Sequence, residues 1–313
     1  MDQSMNELKA GDIVEVLRPS EILSTLNSDG ATDSIPFMPE MMKYCGRKFK
    51  ISRRVNRSCV TCMDPDYALR IGEFSGDDVY FLDGLRCDGL DHGGCDRGCM
   101  IFWRSAWLRK ASVGVADEPP ASTTGVEELA KALKVQEKDG LYFCQSTRLV
   151  NAVTFISKGE RARKAYQDLG MGVSSGIEGA KAIVMPLIRS AAGKLKRPAR
   201  DVKAPQTPTE TLGLMPGDLV EVKSFREIQS TLDSLGRNRG LTFITDMKQY
   251  CGKRFRVKSR MEKTILEHTG RMIEMKNTVM LEGNTCRYDH LFGGCPRNEY
   301  NYWREIWLRR VAE

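Results

Sequence analysis

The side chains best placed to do chemistry are thiols: the chain of 313 residues carries ten cysteines. Cys45, Cys87, Cys95 and Cys99 stand in the pattern Cys-x41-Cys-x7-Cys-x3-Cys. Four thiolates from separate strands and turns would make a tetrahedral zinc site or hold an iron–sulfur cluster. Gly93, Gly94 and Gly98 beside them suit a backbone that wraps tightly around a metal. His92 is close enough in sequence to replace one cysteine or to support a ligand from behind. The competing reading is four reduced cysteines packed as small hydrophobes. Cys59 and Cys62 in "SCVTC" add a CxxC, read as a redox pair, as extra ligands or as an idle loop, without the helix that a redox CxxC opens. Cys144 in "YFCQSTRL" stands alone and is read as a packed thiol.

Near the other end the same cassette returns. "CDGLDHGGCDRGCMIFWRSAWLRK" from Cys87 is answered by "CRYDHLFGGCPRNEYNYWREIWLRR" from Cys286. The second copy keeps Cys251, Cys286 and Cys295, but Glu299 stands where the first has Cys99. His290 offers another fourth ligand. Three cysteines with a histidine or a carboxylate still suit zinc, in a harder and more open site; equally, the copy has kept its fold without its metal. Neither copy has ferredoxin spacing, and a small core gains folding energy from a structural ion. Zn2+ is therefore the expected cofactor, with an iron–sulfur cluster as the alternative. Nucleotide-binding, metalloprotease and serine-hydrolase motifs are missing. Three histidines leave few players for general-base chemistry. No catalytic residue is assigned, and enzyme status stays open, with a non-catalytic role favoured.

The elements that must position these thiols are themselves repeated. Gly11–Arg54 aligns without a gap to Gly217–Arg260 at an offset of 206, with about 19 of 44 positions identical; this is domain duplication, since a solenoid needs more units. "DIVEV" and "DLVEV" alternate as half-buried strands. "EILSTL" and "EIQSTL" read as short helical turns. "KFKIS" and "RFRVK" alternate again, "DVYFLDG" and "TVMLEG" are strands ending at glycine turns, and "WRSAWLRK" closes the unit with two tryptophans over the core. The G-D-x-V-E-V opening and the Y-C-G-[RK]-[KR]-F-[KR]-[IV] run resemble SH3-like barrels of the nitrile hydratase β-subunit, KOW and Tudor types. The doubled cassette as a whole is similar to a bacterial family of cysteine-rich paired domains. These resemblances imply a fold and carry no activity across.

The expected fold is thus mainly β with an α connector: two tandem SH3-like small β-barrels joined by a helical linker region. The first barrel spans 1–115, the connector 116–212 and the second barrel 213–313. Within the connector, "VEELAKALKVQ" is helical after an N-cap in "TTG", "LYFCQSTRLV" reads as a strand with a turn, and residues 177–197 form an apolar stripe with a basic end. That stripe is the candidate for peripheral membrane contact, although such a stripe more often packs on a neighbouring domain. Basic residues interleaved with Phe49 and Phe255 raise nucleic-acid binding as a lesser alternative. A net charge of +7 is too small and dispersed to demand it. No apolar run is long enough to span a membrane, and the N-terminus is not a secretory signal. The chain is therefore expected in the cytoplasm, where a reducing setting argues against a disulfide framework for its cysteines. The function expected is that of a metal-binding accessory or scaffold protein with a protein partner. The alternatives are an iron–sulfur or metal-dependent redox protein and a nucleic-acid-binding module.

Overall fold

A computed structural model describes residues 8–61, 69–76, 78–111, 125–157, 160, 207–286 and 296–311. The chain divides into two compact units, Met1–Ile156 with Lys263–Ile273, and Ser157–Glu262 with Glu274–Glu313. Both are mainly β, built from antiparallel sheets.

In the first unit the strands are β1 (Ile13–Val16), β2 (Ala31–Thr32), β3 (Ile35–Pro36), β4 (Lys48–Arg54), β5 (Arg57–Thr61), β6 (Leu69–Phe74), β7 (Val79–Leu82), β8 (Trp103–Arg104), β9 (Leu108–Lys110) and β10 (Val153–Phe155). The helices are α1 (Pro19–Thr25), α2 (Val126–Ala132) and α3 (Gln145–Arg148). Five strands form one sheet in the order β8-β7-β4-β1-β9. Alternation in β1 buries Val14 and Val16 and leaves Ile13 and Glu15 half-exposed, as a strand with one covered face requires. Val14 pairs with Phe49 on one side and Lys110 on the other.

The second unit repeats this plan. Its strands are β11 (Leu219–Val222), β12 (Arg237–Asn238), β13 (Leu241–Thr242), β14 (Arg254–Arg260), β17 (Thr278–Thr285), β18 (Tyr300–Arg304) and β19 (Leu308–Arg310), with helix α4 (Phe225–Gln229); the pair β15 (Lys263–Ile265) and β16 (Met272–Glu274), between β14 and β17 in sequence, falls almost wholly in the first unit. The sheet order is β18-β17-β14-β11-β19, and Val220 pairs with Phe255 and Arg310. Even the irregularity is duplicated. Register slips between Ile51 and Arg53 in β4 and between the equivalent Val257 and Ser259 in β14, bending each strand as a bulge does.

The tryptophans are the centre of each core. Trp103, Trp107, Trp303 and Trp307 are fully buried. Phe37 meets Trp107 edge-on at 5.2 Å between ring centroids, and Phe243 meets Trp307 at 5.4 Å. The Trp107 indole N–H donates to Thr32 Oγ1 at 3.0 Å, and that of Trp307 to Thr231 Oγ1 at 3.0 Å. A buried indole needs such an acceptor.

Residues 125–156 of the connector belong to the first unit. α2 is capped by Gly125, the last residue of "TTG", at φ 84° and with no side-chain bond. A Cβ there would lie 2.9 Å from the Ser20 backbone nitrogen, so the close approach of α1 selects glycine. "LYFCQSTRLV" is a short helix where a strand was expected. The Cys144 backbone N–H donates to Thr147 Oγ1 at 3.0 Å, which starts α3. Gln145 is buried; its Nε2 donates to the Pro36 and Phe102 carbonyls at 3.0 and 2.8 Å, and its Oε1 accepts from Phe102 N–H at 2.8 Å. No helix among the described residues is long and apolar enough to cross a membrane, and the apolar stripe at 177–197 lies outside the described residues.

Candidate metal centre

Cys87 follows β7 and a glycine turn, and Cys99 lies on the returning chain ahead of β8. Cys87 N–H donates to the Cys99 carbonyl at 2.9 Å, and Arg86 bridges Met100. The loop between them carries Cys95. Its first turn requires glycine: Gly89 sits at φ 68°, and a Cβ on it would fall 2.1 Å from the Cys95 carbonyl oxygen. The loop is thus folded back on itself, bringing Cys87, Cys95 and Cys99 to one small cavity of ≈ 30 Å³. The fourth thiol on that cavity is Cys144, held at the start of α3. Met38, Met100 and Ile265 complete much of the wall.

Burial sets the state of these thiols. The Cys87 pKa is pushed well up, first by desolvation and then by the charges of Glu40 and the neighbouring Cys99 and Cys144; a backbone hydrogen bond from Gly89 opposes this. Desolvation also raises Cys144, against backbone hydrogen bonds from Thr147 and Ser146 and the Thr147 hydroxyl. Cys99 Sγ lies 3.4 Å from Ser146 Oγ. Without an ion, Cys87 and Cys144 are neutral thiols at pH 7. Among the described residues no cysteine is in a disulfide, and no three His, Cys, Asp or Glu side chains are arranged as they stand to hold a metal. The cavity thiols are the right donors in type and number for a thiolate site, gathered around one space.

His92 also reaches this cavity. It is buried, with Nδ1 2.6 Å from Glu40 Oε1 and Nε2 3.1 Å from the Phe143 carbonyl. A carbonyl only accepts, so Nε2–H donates to it and a single proton lies between Nδ1 and the Glu40 carboxyl. Both ring nitrogens are thereby occupied, so His92 braces the site from the side. Glu40 Oε2 is buried without a hydrogen-bond partner.

Cys45 is placed differently. It ends the short helical turn before β4 and packs in the hydrophobic core, and it does not line the cavity. Burial pushes its thiol up to about 12. Cys59 is buried on β5 opposite Ile71, also away from the cavity lining, while Cys62 lies outside the described residues. In the second copy Cys251 ends the equivalent helical turn. Cys286 N–H donates to the Glu299 carbonyl at 2.7 Å, reproducing the Cys87–Cys99 backbone pair. The Glu299 carboxylate meets Arg297 at 2.5 Å, so an ion pair occupies the place of the fourth thiol. His290 and Cys295 lie outside the described residues. Comparison with protein-family models, with curated proteins and with solved structures finds no match.

Proposed function

We propose that the protein is a non-catalytic binding or scaffold module in which two tandem small barrels present loops to a protein partner, and in which Zn2+ held by cassette thiolates of the first unit fixes those loops. The observation that carries this reading is the convergence of Cys87, Cys95 and Cys99, eight residues apart and then four, on a single small cavity. A soft-donor set in a small unit is the setting in which a structural ion adds folding energy. The repeated sheet order and repeated bulge support two equivalent barrels. The ion pair in place of the fourth thiol favours one strong site per chain over two.

The test is metal analysis and a visible spectrum of protein purified without added metal or chelator. About one zinc per chain and a colourless solution are expected for a closed structural site. Iron with matching sulfide would overturn the zinc assignment in favour of the redox alternative. Protein that is metal-free and takes up none on dialysis against zinc would sink the metal reading altogether.

A further inference from the structure

Cys144 belongs to the connector, yet it lines the same cavity as the three cassette thiols. We propose that Cys144, not Cys45, completes a four-thiolate site with Cys87, Cys95 and Cys99 for a borderline-soft divalent cation. Bound there, the ion staples the connector to the cassette loop. The proposal rests on the metal-stabilised reading above and names its ligand set.

Three observations support it. Cys144 lines the cavity and Cys45 does not. Cys144 is fixed in place: Gln145, the next residue, is pinned by three hydrogen bonds to Pro36 and Phe102. Finally, no carboxylate lines the cavity, whose other walls include Met38, Met100 and Ile265. That chemistry rejects Mg2+ and Ca2+ and selects zinc-like ions. Each thiol that becomes a ligand releases its proton to solvent, so four protons leave as one divalent ion enters.

The two copies point the same way. The second replaces the Cys99 thiol by Glu299, and its sequence offers no connector counterpart of Cys144. Cys45 does have a counterpart, Cys251, in the copy with the ion pair. Of the first-copy thiols without a counterpart in the second, Cys99 and Cys144 line the cavity, whereas Cys59 does not.

The experiment titrates the chelator-treated full chain with Cd2+ and reads thiolate-to-cadmium charge transfer in the ultraviolet. The parent, Cys144→Ser and Cys45→Ser chains are compared; the second copy contributes the same background to all three. Cys144→Ser should lose about a quarter of the site's intensity, one thiolate of four, and weaken Cd2+ binding at least about tenfold. Cys45→Ser should match the parent. The opposite ranking would overturn the assignment of Cys144 while leaving a metal site in place. A parent with no cadmium–thiolate band would remove the underlying metal reading itself. A second measurement guards against a misfolded variant: alkylation of the unsubstituted protein, with and without zinc, mapped by mass spectrometry. Zinc should protect Cys144 together with Cys87, Cys95 and Cys99. Equal labelling of Cys144 in both states would refute the proposal.

Discussion

His92 and Glu40 show how much one buried proton can do. Burial alone would lower the His92 pKa. The hydrogen bond and charge of Glu40 outweigh it, with the Phe143 carbonyl and Asp91 adding to the rise, and the net shift is upward. A raised folded-state pKa contributes its stability in full below the unfolded value of about 6.5 and loses it as pH rises through the folded value. His92→Gln should therefore cost most near about pH 6, with the melting-temperature gap to the parent narrowing at higher pH. Thermal unfolding in chelator across that range measures it; a gap that widens with pH would contradict the assignment. The second unit has its own buried acid. Glu305 is fully buried and accepts from Gly213 N–H at 3.0 Å, Leu214 N–H at 3.4 Å and Leu212 N–H, and from Arg260 Nη1 at 3.2 Å. Glu305→Ala strands those donors and should cost about 3–5 kcal/mol in chemical denaturation. Glu305→Gln, which keeps an acceptor, should cost clearly less. The first copy has Ser105 at this position, so no such hub forms there.

At the scale of elements, the turn after Cys87 is the most constrained piece of the cassette. Gly89→Ala would combine a left-handed φ with a backbone collision against Cys95. It should destabilise the first unit by more than about 2 kcal/mol and reduce its metal uptake. Gly84→Ala is the control: φ is 74° with open space around the new methyl, so only the conformational cost of about 1–2 kcal/mol applies. Equal losses would mean that the loop can yield. The strands, the short helical turns and the buried tryptophans were readable in the sequence because period-two alternation and the gap-free repeat both report on which face is covered. The cassette thiols were readable for a similar reason, being close in sequence around glycines. Cys144 was not. Its neighbours suggest a strand, whereas a local threonine cap and a buried glutamine turn them into α3, and the glutamine's contacts are long-range. Cys45 was grouped with the cassette thiols because closure of a barrel gathers distant strand and turn positions; the structure places it in the core and away from the cavity lining.

At the scale of the molecule, the units do not follow the boundaries of the repeats. Lys263–Ile273, written inside the second repeat, belongs to the first unit. Asp96 N–H donates to the Lys263 carbonyl at 2.9 Å, and Tyr142 N–H to the Gly270 carbonyl at 2.8 Å. Arg97 Nη2 lies 2.8 Å from Glu267 Oε2, and both side chains are largely buried. A double-mutant cycle with Arg97→Met and Glu267→Leu should return a coupling of about 1–3 kcal/mol, since removal of either partner leaves the other charge stranded. A coupling near zero would show the pair to be incidental. No local sequence pattern marks this segment, because its partners lie some 170 residues away.

Such an arrangement has a consequence for synthesis. Chains are made from the N-terminus, and domains usually fold as units while they emerge. Here the cassette loop leaves the ribosome well before the segment that packs against Asp96 and Arg97, and Ile265 of that segment is part of the cavity wall. Until then the nascent first unit lacks one side of its thiol chamber, leaving an interval in which the sulfurs stand open to an arriving ion or to an oxidant. The late segment then adds its part of that wall, so the order of translation becomes an order of assembly.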